Sequence, residues 1–444
     1  MKPPEKKLAD LIVTNGILLP LSPGFQSIAE GAIAIQGNQI LALGPKKDVE
    51  ENFTAPQFID AAGGLIMPGL INAHTHAAMS LFRGMADDLP LKTWLEEYIF
   101  PAERKWVNEE FVYWGALLSC AEMIRSGTST FADGYFFAEQ VAQAASHAGL
   151  RALVAQGVLD FPTPDSSSPA EALEKAETLM NTYSGSDLIR PTLFAHSPLT
   201  CSPSLLRRCR DMTRQRGIPL MIHVAETRGE CEEMMQRYGR RPVEYLENLG
   251  LLSPSLIACH CVWLTEAEMD LLAWRGVKTV HNPESNMKLA SGVAPIPELL
   301  TRGVTVGLGT DGCASNNNLD MFQEMDFAAK LHKVHRLDPT VMSAQEVLQM
   351  ATWGGAKVLG LEKEIGSLEV GKKADIIIMD LYRPHLQPLY HIVSHLVYSA
   401  TGADVRDMII NGRLIMQNHK LLTLNEDEIF QKVTEWIWKI KGTG

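Results

Sequence analysis

Leu65 to Ala78 reads LIMPGLINAHTHAA. An apolar run that ends in His74, Thr75 and His76 is the pattern of a buried strand with two imidazoles at its carboxyl end. The period of two along a strand sends both to the same side. Two such histidines make half of a metal site, or else two solvated or core histidines, and the rest of the chain has to supply further ligands.

Working outward, the segment from about Met67 to Gly360 alternates short apolar runs with helical periodicity. The runs are Leu65 to Ala73, Thr128 to Ala132, Ala152 to Leu159, Pro191 to Ala195, Pro219 to Ile222, Leu256 to Cys259, Val277 to Val280 and Val304 to Leu308. Between them lie helical stretches such as Glu109 to Ser126, Pro203 to Arg216 and Thr265 to Arg275. Strands alternating with helices in this number predict an α/β fold, a TIM-like (β/α)8 barrel, whose chemistry sits at the carboxyl ends of the strands. The residues just past those runs fit: His223, His260 and His281 follow the fifth, sixth and seventh, and Asp311 the eighth. Each alone is unremarkable, and Asp311-Gly312 alone is most simply a turn. Jointly they predict a metal site at the barrel mouth.

Both chain ends look different. Ala9 to Leu21 carries Asn15-Gly16, and Gly31 to Leu43 places Gly37-Asn38 between short alternating strands, which are hairpin signals. Gly366 to Leu381 and Val405 to Leu422, with Asn411-Gly412, have the same character. About 60 residues of strand cannot bury a core alone, so the two ends are expected to pair into one small discontinuous β-sandwich. The expected division is 1–66 (first part of the sandwich), 67–364 (barrel) and 365–444 (second part, with a C-terminal helix). That helix, Asn425 to Lys441, has Asn425 as cap, acidic residues first, lysines last, and an apolar stripe of Ile429, Val433, Trp436, Ile437 and Ile440.

Composition excludes several functions. The formal charge of -12 opposes attraction to nucleic acid or anionic membrane, leaving small molecules as partners. Met1 to Ile12 lacks the apolar core of a secretory signal and no segment is apolar enough to span a membrane, so a cytoplasmic protein is expected. The seven cysteines are scattered without CxxC spacing and read as reduced thiols. Cys259 and Cys261 flank His260 on a strand and are expected to face the packed helices together. Whether the chain acts alone or as a homo-oligomer stays open.

HTH at His74 to His76, HVAE at His223 to Glu226, HC at His260-Cys261, HNPESNMKL at His281 to Leu289 and GTDGCASNN at Gly309 to Asn317 together resemble the amidohydrolase superfamily. More closely they resemble its 5'-methylthioadenosine/S-adenosylhomocysteine deaminases, relatives of the triazine chlorohydrolases and guanine deaminases. The resemblance covers nearly the whole chain. It implies that His74, His76, His223 and Asp311 bind one divalent metal, zinc being the first choice, and neutral imidazole with carboxylate suits that ion. The fourth strand ends in Ala195-His196-Ser197 without the lysine that bridges two metals in other members, which argues for a single ion. Asp311 could accept a proton from water, His260 could hold the nascent hydroxide, and Glu226 could protonate a ring nitrogen of the substrate. His281 is read as either support or structure.

The long connection Ala77 to Val107 is expected to form a lid or wall. By resemblance Glu103 would accept hydrogen bonds from ribose hydroxyls, His196 would contact the nucleoside, Trp94 would line the 5' end, and Ser315 is a further contact near the metal. One departure stands out. Where family members carry arginines on and after the third strand, this chain has Gln156, and the loop Asp160 to Glu171 (DFPTPDSSSPAE) has no basic residue. This weakens the case for S-adenosylhomocysteine and favours methylthioadenosine, 5'-deoxyadenosine or adenosine. The rivals are a guanine, cytosine or chlorotriazine hydrolase on the same frame, or a non-catalytic metal-binding homologue.

Overall fold

In the computed structural model, which describes residues 6–22, 24 and 26–442, the apolar run from Leu65 to Ala73 divides in two. Leu65–Pro68 pairs antiparallel with Ile376–Met379, and only after Gly69 does Leu70–Thr75 begin a second sheet beside Thr128–Tyr135. The expected single strand is corrected by chemistry in its middle. Pro68 has no N–H for a ladder, and a Cβ on Gly69 would sit 2.3 Å from Ser129 Oγ.

The second sheet has eight parallel strands, each beside its neighbours in sequence: Leu70–Thr75, Thr128–Tyr135, Arg151–Val158, Ile189–Ala195, Leu220–Val224, Leu256–His260, Lys278–His281 and Val306–Leu308. Between the first and last strands the seam is closed past the ladders. The Asp311 N–H donates to the His74 carbonyl (3.0 Å), and the Asn72 amide donates to Thr310 Oγ1 (2.7 Å) while accepting from the Thr310 N–H (3.1 Å). Side chains from the first seven strands, among them Ile71, Leu153, Phe194, Met221, Ile257 and Val280, form one cluster. Residues from so many strands meet only inside the barrel, which is therefore a packed core and not a pore. Helices cover the outside, and Asn108, Ser168, Ser202, Thr227 and Thr265 cap five of them with their side chains.

The chain ends meet in a nine-stranded mixed sheet. Gly37-Asn38 and Asn411-Gly412 are two-residue hairpin turns, as expected. Asn15-Gly16 is not. Leu11–Leu18 runs through it as one strand, with Asn15 at φ 61 and the register slipping there, so the pair makes a bulge. Residues 1–5 and 443–444 of the expected sandwich lie outside the described residues. The helix Glu426–Lys441 buries Ile429 and Trp436, the latter edge-on to Phe111 (5.3 Å between ring centres), while Ile437 is exposed and not part of the packed stripe. All seven cysteines are buried and free.

Barrel and mixed sheet are joined by a buried ion pair. Arg151, on the third barrel strand, donates to both carboxylate oxygens of Asp375 (2.8 and 3.1 Å), and Asp375 also accepts the Asn411 N–H (2.7 Å). Replacing one partner strands the other's charge in the interior. Arg151→Met is expected to lower the unfolding free energy by about 3–5 kcal/mol, measured by denaturant titration. A loss below about 1 kcal/mol, the value of an exposed pair, would contradict this account of the joint.

Candidate active site

The mouth of the barrel gathers the strand-end residues that the sequence singled out. Ligand atoms of His74, His223, His260 and Asp311 all lie within 4.8 Å of one another. His74 Nε2 is 3.1 Å from His223 Nε2 and 3.6 Å from Asp311 Oδ1, and His76 Nε2 is 3.2 Å from the same oxygen. His76 donates through Nδ1 to the Gly134 carbonyl (2.6 Å), which leaves the Nε2 lone pair facing Asp311. Burial pushes His74 down to about 4 and His223 well below the usual histidine range, so both are neutral donors. Burial alone would raise Asp311, but the His74 and His76 imidazoles outweigh it and hold the carboxyl well below the usual carboxylate range. Unlike His74, His76 is raised: burial alone would lower it, but the facing Asp311 carboxylate outweighs that. Imidazoles converging on one carboxylate suit a divalent ion.

Backbone strain aims two of these groups. Asp311 sits at φ 60, and its Oδ2 accepts from Ser285 Oγ (2.7 Å) and Ser315 Oγ (2.9 Å), so only Oδ1 faces the histidines. The Ser315 hydroxyl is thus committed to Asp311, although the residue also lines the cleft. His260 is at φ 71 and Cys261 at φ 50, which breaks the strand's alternation. His260 therefore swings over the mouth, and its Nδ1 lies 2.9 Å from Asn286 Oδ1. The same break corrects the expectation for the cysteines: Cys261 packs outward, whereas Cys259 lies inside the barrel with Met221 and Ile257. His281 keeps the alternation and faces away from the cluster, its Nε2 3.1 Å from Nε2 of His332 on the helix Met321–Arg336.

A cleft of about 1030 Å3, mouth included, opens above the cluster, and His76, Trp94, Glu103, His196, His223, Glu226, His260, Asp311 and Ser315 all line it. Glu226 Oε2 is 3.9 Å from His260 Nε2, and burial raises its carboxyl above the ordinary range. Glu103 is buried on the short helix Phe100–Trp106 within the Ala77–Val107 connection, accepts the Tyr135 hydroxyl at 2.6 Å, and is pushed by burial up to about 7. His196 pairs through Nδ1 with Thr200 Oγ1 (2.9 Å), and burial lowers it to about 4. Trp94 donates to the Ala86 carbonyl (3.1 Å), which fixes its ring in the wall.

The wall beyond Glu103 is apolar: Leu95, Phe100, Phe161, Pro162 and Pro164. Gln156 is not in the cleft. Its amide donates to Asp165 (2.8 Å), and Asp165 in turn accepts the Phe137 N–H (2.8 Å), so both brace the loop. The inner cleft is lined by Arg104, exposed and next to Glu103, and Arg228 and Arg237 line its outer mouth. The sequence reading missed Arg104 because a helical arginine in a lid has no strand-end signal. Ser285 and Asn286 were missed too, although both lie inside the HNPESNMKL stretch.

Known proteins resemble the chain over nearly its whole length. A 5-methylthioadenosine/S-adenosylhomocysteine deaminase of Syntrophobacter fumaroxidans is 54% identical over 425 residues, 96% of this chain and 97% of that protein. A 5'-deoxyadenosine deaminase of Methanosarcina mazei is 45% identical over 427 residues, 96% of this chain and 97% of that one. Among solved structures, an adenosine deaminase from Xanthomonas campestris with bound zinc superposes with a TM-score of 0.97 at 39% identity, covering 99% of this chain and 100% of its own. No helix among the described residues is long and apolar enough to cross a membrane. Residues 65–415 match the amidohydrolase family, and the chain belongs to it.

Proposed function

We propose that the protein is a metal-dependent hydrolytic deaminase that converts the adenine of a 5'-substituted adenosine to hypoxanthine and releases ammonia. The observation that carries this reading is that one cleft holds a His/Asp cluster, a carboxyl raised by burial (Glu226) and a second buried carboxyl in the same wall (Glu103). His74, His76, His223 and Asp311 are the ligands of one divalent ion, zinc by preference for imidazole and carboxylate. Such an ion supplies Lewis acidity and brings the pKa of water towards ~7.

The chain's own groups do the rest. Asp311 takes a proton from the attacking water, and His260 Nε2 orients that water by a hydrogen bond. Glu226, whose protonated form burial favours, donates to a ring nitrogen as the water oxygen adds to C6. The C6 amine then leaves as ammonia, carrying a proton from the same machinery. Glu103 accepts the ribose hydroxyls, His196 contacts the nucleoside, and Trp94 with the apolar wall receives the 5' group.

That wall suits a methylthio or methyl group better than a charged amino acid. Methylthioadenosine and 5'-deoxyadenosine are expected to be turned over at least as well as S-adenosylhomocysteine, followed as loss of adenine absorbance, with guanine, cytosine and a chlorotriazine assayed alongside for release of ammonia or chloride. A kcat/KM clearly higher for S-adenosylhomocysteine would refute the preference. Turnover of guanine, cytosine or a chlorotriazine in place of adenosines would refute the substrate class.

A further inference from the structure

The barrel strand Leu220–Val224 ends one residue past His223, and the chain then enters the left-handed region at Ala225 (φ 52), lifting Glu226 over the cleft. A non-glycine residue is strained in that conformation and persists there only where its surroundings hold it. The holding group is Glu230. Its Oε1 accepts the Ala225 N–H at 3.0 Å, and its Oε2 accepts the Glu226 N–H at 2.7 Å.

This is not the usual work of a glutamate in that place. Glu230 is the third residue of the helix Arg228–Tyr238, whose cap Thr227 accepts the Glu230 N–H at 3.1 Å. A glutamate there ordinarily folds back onto the N–H of the cap itself. Glu230 reaches past it to the two peptides that carry Glu226. On the opposite face of the same segment, the Ala225 carbonyl accepts N–H groups from Val262 (3.0 Å) and Trp263 (2.9 Å), just after His260. Glu230 lines the outer mouth of the cleft together with Glu226 but not its inner part beside His76 and Asp311, so its link to the reacting centre is the pair of peptides that carry Glu226.

We propose that Glu230 is a positioning residue: its carboxylate clamps the peptides of Ala225 and Glu226 and so sets the Glu226 carboxyl against the reacting ring. The proposal rests on the reading of Glu226 as the proton donor. A glutamine at 230 has a single oxygen and would turn an amide N–H towards the second peptide N–H, so half of the clamp becomes repulsive. Glu230→Gln is expected to lower kcat by about 10- to 100-fold, the scale of a small misplacement of a reacting group, with KM changed less than threefold and metal content kept.

The test is a double-mutant cycle with Glu226→Gln, run on full-length metal-loaded enzyme with methylthioadenosine, alongside metal analysis and thermal melting. If Glu230 acts through Glu226, its replacement costs nothing further once Glu226 is glutamine. Additive losses, a kcat within twofold of the parent, or a fall in metal content that tracks the lost activity would overturn the proposal. Should Glu230→Gln not fold, Glu230→Asp, one methylene too short to span both N–H groups, takes its place in the same cycle. A fully active Glu226→Gln enzyme would instead sink the reading of Glu226, and this proposal with it. Loss in Glu226→Gln with no coupling to Glu230 would sink the clamp alone.

Discussion

Asp311→Asn is expected to reduce kcat/KM by more than about 10,000-fold, the upper end of what acid–base catalysis supplies, because this one side chain is read both as a metal ligand and as the acceptor of the water's proton. The carboxylate is prepared for both tasks. Ser285 and Ser315 occupy Oδ2, and Oδ1 is left to His74 and His76. Asparagine retains the shape but loses the charge that those imidazoles face, so the purified variant should also hold less metal. His260→Ala is the control that separates the two roles: it should keep the metal and still lose turnover. An Asp311→Asn protein with full metal and kcat/KM within tenfold of the parent would contradict the assignment.

Glu226→Gln is expected to lower kcat by about 100- to 10,000-fold, the range of a lost general acid, with metal content unchanged. Burial raises the Glu226 carboxyl, so its protonated form persists to higher pH than that of an exposed glutamate. The sign follows: the parent enzyme should lose kcat/KM as pH rises through that raised value, and the variant's residual activity should lack this limb. A variant whose only defect is a raised KM would show that Glu226 binds the substrate without protonating it.

The two predictions concern residues that were legible in the sequence for the same reason. In a parallel barrel the chemistry gathers at the strand ends, so His223, His260 and Asp311 could be found by counting strands, and Glu226 by its step beyond His223, whereas the same count offered His281, which turns to His332 instead. What escaped was set by backbone conformation or by distant chain. Alternation from Ile257 puts Cys259 inside the barrel, and the left-handed turn at His260 and Cys261 is what brings His260 to the mouth, so counting back from His260 places Cys259 on the wrong side. Asn15-Gly16 has the letters of a hairpin turn, yet Leu11–Leu18 pairs with Ile28–Gln36, Gln57–Asp60 and Leu65–Pro68, and that sheet holds it straight. Leu65–Ala73 looked like one strand because its apolar run continues across Pro68-Gly69, a local break signal whose consequence, the pairing of Leu65–Pro68 with Ile376–Met379 more than 300 residues away, only the fold reveals. Thr227 and Glu230 have the spacing of a capping box, which would turn Glu230 back onto the cap rather than onto Ala225 and Glu226, and Arg104 carries no such signal at all. Their roles depend on which peptide or cleft lies beside them after folding.

The central claim is that four side chains far apart in sequence enclose one ion. Diffraction from crystals of the untreated protein, with an anomalous map at the zinc edge, tests it most directly. The account predicts one peak, about 2.0–2.1 Å from nitrogens of His74, His76 and His223 and within about 2.2 Å of an Asp311 oxygen. No peak, a second peak nearby, or a single peak bound by other residues would contradict it.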